Sequence, residues 1–187
     1  LPSPGEGPDR FIDAITEAVG ALDHSYVAVQ GPPGTGKTHV GSHVIARLVA
    51  RGWKVGVVGQ SHAVVENLLK TAVAKAGVDP ARVAKEVKHA EALPWEQRSA
   101  KDVARLLGSP GGALIGGTAW TMTGSNVRAG SLDLLVIDEA GQFSLANTLA
   151  VAQASSRLLL LGDPQQLPQV SQGAHPEPVD ESALGWV

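Results

Sequence analysis

Gly31-Pro-Pro-Gly-Thr-Gly-Lys37-Thr38 matches the pattern G-x-x-x-x-G-K-[ST] and lies between two segments of different character. The short apolar segment 26–29 before it is typical of a buried β-strand, and the segment 37–51 after it predicts a helix that ends at Gly52. A strand, a glycine-rich turn and a helix in this order form the context in which the pattern binds phosphate. The sequence therefore predicts a phosphate-binding loop, rather than a glycine-rich turn with an exposed lysine.

The residue types of this loop suit phosphate chemistry. Gly34 and Gly36 permit backbone conformations and a close approach that side chains prevent. Successive N–H groups can then point toward an anion at the start of the helix. Lys37 can reach the outer phosphates of a nucleotide, and the hydroxyl of Thr38 can bind Mg²⁺. We expect eight consecutive residues to bind the nucleotide: Gly31, Pro32, Pro33, Gly34, Thr35, Gly36, Lys37 and Thr38.

Two acidic residues, Asp138 and Glu139, directly follow the apolar segment 134–137. Burying a carboxylate at the end of a strand is unfavourable unless a cation pairs with it. Phosphate-bound Mg²⁺ is the natural partner, so Asp138 is predicted to hold the metal directly or through water. Glu139 can orient and deprotonate an attacking water, which favours hydrolysis over phosphoryl transfer to a small molecule. The alternative is a pair of exposed acids at a strand end.

Short apolar segments alternate with helical ones along the chain. This alternation predicts an α/β fold with a parallel β-sheet and helices on both faces. The carboxyl ends of parallel strands meet at one edge of a sheet, where ligands bind. The polar stretch 162–168 follows another apolar segment and should therefore join the first two motifs. The segments predicted as strands are 26–29, 54–58, 113–115, 132–137 and 158–161, and those predicted as helices include 11–22, 37–51 and 63–76.

Three motifs together resemble those of superfamily 1 helicases, in the branch that contains the nonsense-mediated-decay RNA helicase and its DNA-acting relatives. They are the phosphate loop, Asp138-Glu-Ala-Gly-Gln142 and Gly162-Asp-Pro-Gln-Gln-Leu-Pro168. Their order and separation also match, and the likeness extends over about residues 11–170. The resemblance implies a RecA-like P-loop NTPase domain that uses ATP and Mg²⁺ in an ATP-dependent DNA or RNA helicase or translocase.

The same resemblance implies roles for individual residues. Lys37 and Glu139 would be catalytic, together with Gln142, which would couple hydrolysis to the γ-phosphate. Gln166 would sense that phosphate and relay its loss toward a second domain. Asp163 would organise the same loop.

The stretch 57–68 looks like the family motif that contacts the nucleic-acid backbone. Ser61 and the neighbouring main chain, including His62, would meet phosphates. Gly116-Gly117-Thr118 resembles a later strand-end motif and would place Thr118 on the same track. The implied partner is single-stranded DNA or RNA. Trp95 and Trp120 could stack on its bases, although an isolated tryptophan is more often part of a core.

The sequence departs from the family pattern in three places. His62 stands where the family usually has Asn, and no Gln near residues 9–11 matches the one that reads adenine. The chain ends before a second RecA-like domain, where the family keeps an arginine finger worth about 10³–10⁵ in rate. The resemblance therefore implies that residues 171–187 lead to a missing second domain of the same chain. It also implies that this fragment binds ATP but hydrolyses it poorly; some relatives are fused to a RecB-like nuclease.

Composition limits the remaining possibilities. The chain has 187 residues, which predicts one domain over 1–187, and no cysteine, which excludes a disulfide scaffold or a Cys-ligated metal site. No apolar run approaches the roughly 20 residues of a membrane span, and no signal-like segment opens the chain. Since the first residue is Leu1, we expect a processed or excised piece. We also expect a cytoplasmic monomer without membrane contact.

The net charge of −3 is unevenly distributed. Residues 1–110 hold 13 Lys and Arg against 11 Asp and Glu, whereas residues 111–187 hold two against seven. This distribution argues against a highly basic nucleic-acid-binding module. The charged segment 79–110 is predicted to be a helical insertion, either a solvated excursion or an element that leans over nucleic acid. His39 and His43 lack the Glu of a helical zinc motif and are expected to be structural.

Two other function classes remain as alternatives to a helicase motor. A non-translocating nucleotide-dependent switch or clamp would keep the phosphate loop and be indifferent to loss of Glu139. A small-molecule kinase would have the loop but no use for Asp138 and Glu139 combined with Gln142 and Gln166.

Overall fold

The computed structural model describes residues 6–7, 9–87, 92–166, 177–179 and 181–186. These ranges contain six strands: β1 (Ser25–Gln30), β2 (Lys54–Val58), β3 (Val83–Lys85), β4 (Ala113–Gly117), β5 (Leu134–Asp138) and β6 (Arg157–Gly162). They also contain seven α-helices: α1 (Arg10–Gly20), α2 (Lys37–Ala50), α3 (His62–Ala74), α4 (Ala100–Gly108), α5 (Ala119–Met122), α6 (Leu145–Ala152) and α7 (Ala183–Trp186).

The six strands form one parallel sheet in the order β1-β6-β5-β2-β4-β3. The strands that carry the three motifs are therefore neighbours. In register, Gln30 at the end of β1 pairs with Gly162, and Asp138 at the end of β5 pairs with Leu161. The predicted α/β fold with a parallel sheet is confirmed, and the motifs meet at the carboxyl edge of the sheet.

The core lies on both faces of this sheet, as strand β5 shows. Leu134 and Val136 belong to a buried cluster with side chains of α1, α2 and α3. Leu135 and Ile137 belong to a second buried cluster with side chains of α4, α5, α6 and α7. Because both faces are covered, the strand is continuously apolar rather than alternating. The predicted helices on both faces are confirmed.

The segment 79–110 differs from the predicted helical insertion. It contains a 3₁₀ turn at Pro80–Arg82, the strand β3 and the nine-residue helix α4. β3 pairs in parallel with β4, so the segment supplies the edge strand of the sheet. Ser99 and Asp102 form a capping box that starts α4, and Val103 and Leu106 of α4 are buried. The segment is thus part of the packed core, while its residues 88–91 lie outside the described part of the chain.

The remaining elements agree with the sequence interpretation to within a few residues, but three helices were not predicted: α5, α6 and α7. Of the predicted tail 171–187, the structure describes residues 177–179 and 181–186, and Ala183 and Leu184 of α7 are buried. The motif residues Leu167 and Pro168 lie outside the described ranges. Within those ranges, no helix combines the length and apolar character that a membrane crossing requires.

Candidate nucleotide site and the neighbouring cleft

The phosphate loop connects β1 to α2 and holds a lysine over its own backbone. Gly34 and Gly36 have φ values of 82° and 83°, in the left-handed region that side chains rarely adopt. Lys37 Nζ donates to the carbonyl oxygens of Gly31 at 2.5 Å and Pro32 at 2.9 Å. An ammonium in this position can exchange these carbonyl partners for the oxygens of a bound phosphate.

Asp138 ends β5 and is followed by a strained turn. Asp138 is 6% exposed, and its Oδ1 accepts a hydrogen bond from the N–H of Glu139 at 3.0 Å. Glu139 has a φ of 53°, which is uncommon for a residue with a side chain. The turn closes as the N–H of Gln142 donates to the carbonyl oxygen of Glu139 at 2.8 Å. Strain of this kind concentrates at functional sites.

Burial raises the pKa of Asp138 to about 6. The hydrogen bond from the N–H of Glu139 lowers this pKa, the nearby Glu139 carboxylate raises it, and the charge of Lys37 lowers it slightly. A buried carboxylate in this setting is a strong ligand for a hard cation, because the cation replaces the hydration that burial removes. Asp138 and the hydroxyl of Thr38 therefore fit a Mg²⁺ ion.

The loops after β5 and β6 approach each other closely. Gln142 Nε2 donates to Gln166 Oε1 at 3.2 Å. Asp163 is buried, and its Oδ1 accepts from the N–H of Gln165 at 2.9 Å. A Cβ on Gly141 would lie 2.1 Å from the carbonyl oxygen of Asp163. Glycine is needed here because only a residue without a side chain lets the two loops, and hence the two glutamines, meet.

Residues from all three motifs line a cavity of about 380 Å³, although the predicted residues Gln142 and Asp163 are not among them. Val64 and Asn67 of α3 also line it, although the sequence interpretation gave neither of them a part in the nucleotide site. Their spacing of three residues places them on one face of the helix. This spacing is the sequence signal that links the two residues to one cavity. The lining residues are Pro33, Gly34, Gly36, Lys37, Thr38, Val64, Asn67, Asp138, Glu139, Gly162 and Gln166.

Some predicted nucleotide-binding residues lie beside this cavity rather than on it. Gly31, Pro32 and Thr35 line a neighbouring space of about 350 Å³, together with Phe11 of α1. Lys37 borders both spaces. Thus one wall of the loop faces the strand ends that carry the acids, and the other faces α1.

The residues predicted to contact nucleic acid lie further along the same sheet edge. Ser61 caps α3, and its Oγ accepts from the N–H of Val64 at 3.3 Å. Thr118 precedes α5 and makes no side-chain capping hydrogen bond. These two residues follow the neighbouring strands β2 and β4, so the structure brings them to the same edge.

A buried lysine ties the edge strand β3 to the start of α3. Lys85 Nζ lies 2.8 Å from Glu66 Oε1 and 3.1 Å from Nδ1 of His62. Because an ammonium only donates, Nδ1 of His62 accepts in this contact. Sequence reasoning gave Lys85 no role and placed Glu66 only within the stretch 57–68, because no local pattern connects residues 19 positions apart.

A second cavity of about 390 Å³, here called the α3–α5 cleft, opens beside Thr118. It is lined by His62, Glu86, Ala100, Val103, Thr118, Trp120, Thr121, Gly124 and Asn126. Trp120 is 88% exposed, whereas Trp95 is fully buried. The suggestion that Trp95 stacks on bases is therefore wrong, because its ring packs in the core.

His39 and His43 pack against each other on α2. Their ring centroids are 4.2 Å apart on α2, and Nδ1 of His43 lies 2.8 Å from the carbonyl oxygen of His39. No group of three or more acidic, histidine or cysteine residues able to hold a metal occurs among the described residues.

A family profile described as "AAA domain" matches residues 13–182. The human DNA replication ATP-dependent helicase/nuclease DNA2 is 34% identical over 156 residues, which is 79% of this chain and 14% of that protein. The helicase/nuclease JHS1 of Arabidopsis thaliana, also named for DNA replication, is 27% identical over 165 residues, 85% of this chain and 12% of that protein. The chain therefore spans about an eighth of the length of these relatives.

Solved structures of helicases share the fold. The Hef helicase domain of Pyrococcus furiosus has a TM-score of 0.56 at 18% identity, over 91% of this chain and 34% of that one. The arterivirus nonstructural protein 10 helicase, solved with DNA, has a TM-score of 0.52 at 21% identity, over 89% of this chain and 35% of that one.

Proposed function

Because the chain belongs to the AAA-domain family and is a RecA-like domain of the superfamily 1 helicases, we propose that it is the ATP-binding and hydrolysing motor domain of an ATP-dependent helicase or translocase. One observation carries this proposal. The phosphate loop, the acid pair after β5 and Gln166 after β6 line a single cavity at one sheet edge. A kinase for small molecules would not need the hydrolytic Glu139 and the paired glutamines in addition to the loop.

In the proposed reaction the residues of the cavity have separate roles. Lys37 and the loop N–H groups would bind the β- and γ-phosphates of ATP, and Thr38 and Asp138 would hold Mg²⁺, which would neutralise phosphate charge. Glu139 orients a water molecule toward the γ-phosphorus and accepts its proton. Gln166 contacts the γ-phosphate and passes its loss to Gln142 through their hydrogen bond.

We propose single-stranded DNA as the track. The relatives are named for DNA replication, and one solved neighbour was determined with DNA. Ser61, His62 and Thr118 would contact its backbone on the sheet edge beside the nucleotide cavity. A second RecA-like domain of the same protein would close over ATP from the other side, and its arginine would add a second positive charge near the γ-phosphate to that of Lys37.

The test measures nucleotide binding in variants of this chain and turnover in the same variants of the full-length protein, because the fragment alone is expected to hydrolyse ATP poorly. Lys37→Ala should abolish or severely weaken ATP·Mg²⁺ binding by calorimetry, whereas Lys75→Ala, an exposed lysine just after α3, should bind like the wild type. Glu139→Gln should keep nucleotide affinity and lose about 10²–10⁴ in turnover, the usual contribution of a general base. Unchanged affinity in Lys37→Ala would disprove the nucleotide site.

The track is tested by ATP turnover of the full-length protein with and without single-stranded DNA and RNA. If the protein is a DNA motor, single-stranded DNA should stimulate its ATP turnover more strongly than RNA does. Turnover that responds to neither polymer would instead favour a nucleotide-dependent switch or clamp.

A further inference from the structure

Trp120 is the most exposed large apolar side chain of the described residues, and the fold holds it in a fixed place. It lies on the short helix α5, which begins directly after Thr118. The N–H groups of Thr121 and Met122 donate to the carbonyl oxygen of Thr118 at 3.0 and 3.1 Å, and Met122 is fully buried. The helix is thus anchored to the core while the indole ring projects into solvent. Folding gains nothing from this exposure, because an apolar ring is favoured when it is buried.

The α3–α5 cleft beside Trp120 has polar walls of a particular kind. The polar residues Glu86, Asn126 and His62 are among those that line it. The carboxylate of Glu86 disfavours a phosphate inside the cleft, since like charges repel. An uncharged, flat group with hydrogen-bonding edges suits it better. A nucleobase is such a group, and every base has a face that can stack on an aromatic ring.

We propose that Trp120 stacks on one base of the bound single-stranded DNA and that the α3–α5 cleft receives this base. The inference rests on the proposed function, since it adds a base contact to the backbone contacts at Ser61 and Thr118. The repulsion at Glu86 keeps the phosphates outside the cleft, next to the caps of α3 and α5. The strand therefore lies with its backbone along the sheet edge and one base turned toward α5.

The experiment measures the affinity of the chain for a fluorescein-labelled single-stranded DNA of 10 nucleotides. The readout is fluorescence anisotropy in the presence of Mg²⁺ and an ATP analogue. Trp120→Ala should weaken binding about 5- to 100-fold, the range of one lost base–aromatic stack. Trp120→Phe, which keeps an aromatic face, should recover most of the affinity. Trp186→Ala is the matched control, because Trp186 is an exposed tryptophan of α7 outside the cleft.

An abasic site moved along the oligonucleotide locates the stacked base. In the wild type, one position should lose affinity to about the extent that Trp120→Ala does. In Trp120→Ala, the same abasic site should cause no further loss. Circular dichroism and the thermal midpoint of Trp120→Ala should equal those of the wild type, because the ring contributes no core packing.

The possible failures are distinguishable. If the wild type binds and Trp120→Ala binds equally well, or loses no more than Trp186→Ala does, the stacking proposal is overturned and the motor proposal stands. If the wild type binds no single-stranded DNA at all, the proposed track is overturned, and the stacking proposal with it.

Discussion

Asp138 is an acidic residue whose burial disfavours its charged form. It is buried at the end of a parallel strand, and the N–H of Glu139 and the charge of Lys37 only partly offset the loss of water. Strongly shifted pKa values occur often at functional sites. The effect of this burial on stability can be measured in the absence of any ligand, because the raised pKa of Asp138 links proton binding to folding.

We expect the unfolding free energy of the nucleotide-free chain to contain a component that falls as the pH rises from about 4 to about 6. The pKa of Asp138 is about 6 in the folded chain and 3.8 ordinarily, so the folded state binds more protons than the unfolded state in this window. Above pH 6 the buried charge costs about 3 kcal/mol, at roughly 1.4 kcal/mol per pKa unit.

Asp138→Asn removes this component, because the amide keeps an oxygen for the N–H of Glu139 but carries no charge. Its unfolding free energy in urea should exceed that of the wild type at pH 8 and approach it at pH 4. Parallel pH profiles for the two proteins would show that Asp138 does not titrate as the structure indicates.

At the scale of elements, the edge strand β3 is tied to helix α3. Its last residue, Lys85, is buried and bonds to Glu66 and His62 of α3. A buried ion pair adds little net stability, but removing one partner leaves an uncompensated charge. The pair therefore serves to fix α3 against β3, and with it the loop that holds Ser61.

We expect Lys85→Met to lower the unfolding free energy by about 3 kcal/mol, because it leaves the Glu66 carboxylate buried without its partner. The double variant Lys85→Met/Glu66→Leu should regain much of this loss. Arg105→Met, which removes the exposed partner of Asp102, should change stability by less than about 1 kcal/mol. A double variant no more stable than Lys85→Met would contradict this account.

The elements also show what sequence patterns can predict. β2, β5 and β6 are predictable because each is a continuous apolar segment bounded by polar residues. β3 is not, since it has three residues and ends in a lysine whose burial depends on a partner on α3. The helices α5 and α7 have four residues each, too few for a helical period to show.

In the candidate site, too, some residues are predictable from the sequence and others are not. The three motifs are contiguous in sequence, and their positions after apolar segments already place them at one sheet edge. Asn67 and the cleft residue Glu86 reach their cavities only through the packing of α3 and β3. Trp95 and Trp120 are equally plausible stacking residues in the sequence, and only their burial separates them.

At the scale of the molecule, helix α3 borders both cavities. Val64 and Asn67 face the nucleotide cavity, while His62 faces the α3–α5 cleft. Asn67→Ala should weaken ATP·Mg²⁺ binding about fivefold, as the loss of about one hydrogen bond predicts. It should leave the affinity for single-stranded DNA unchanged when nucleotide is absent.

Asn126→Ala is the matched control for Asn67→Ala, since Asn126 is an exposed asparagine of the cleft. It should leave ATP·Mg²⁺ affinity in the absence of DNA unchanged by calorimetry. Equal losses of ATP·Mg²⁺ affinity in the two variants would contradict the assignment of Asn67 to the nucleotide cavity and of Asn126 to the α3–α5 cleft alone.

The shared helix has a thermodynamic consequence. A wall common to two sites cannot shift to suit one ligand without altering the free energy of binding of the other. Linkage then requires the same factor in both directions: if DNA strengthens ATP binding tenfold, ATP strengthens DNA binding tenfold. In the proposed motor this cooperativity must change as the γ-phosphate leaves, and we expect α3 to couple the two cavities because its residues line both.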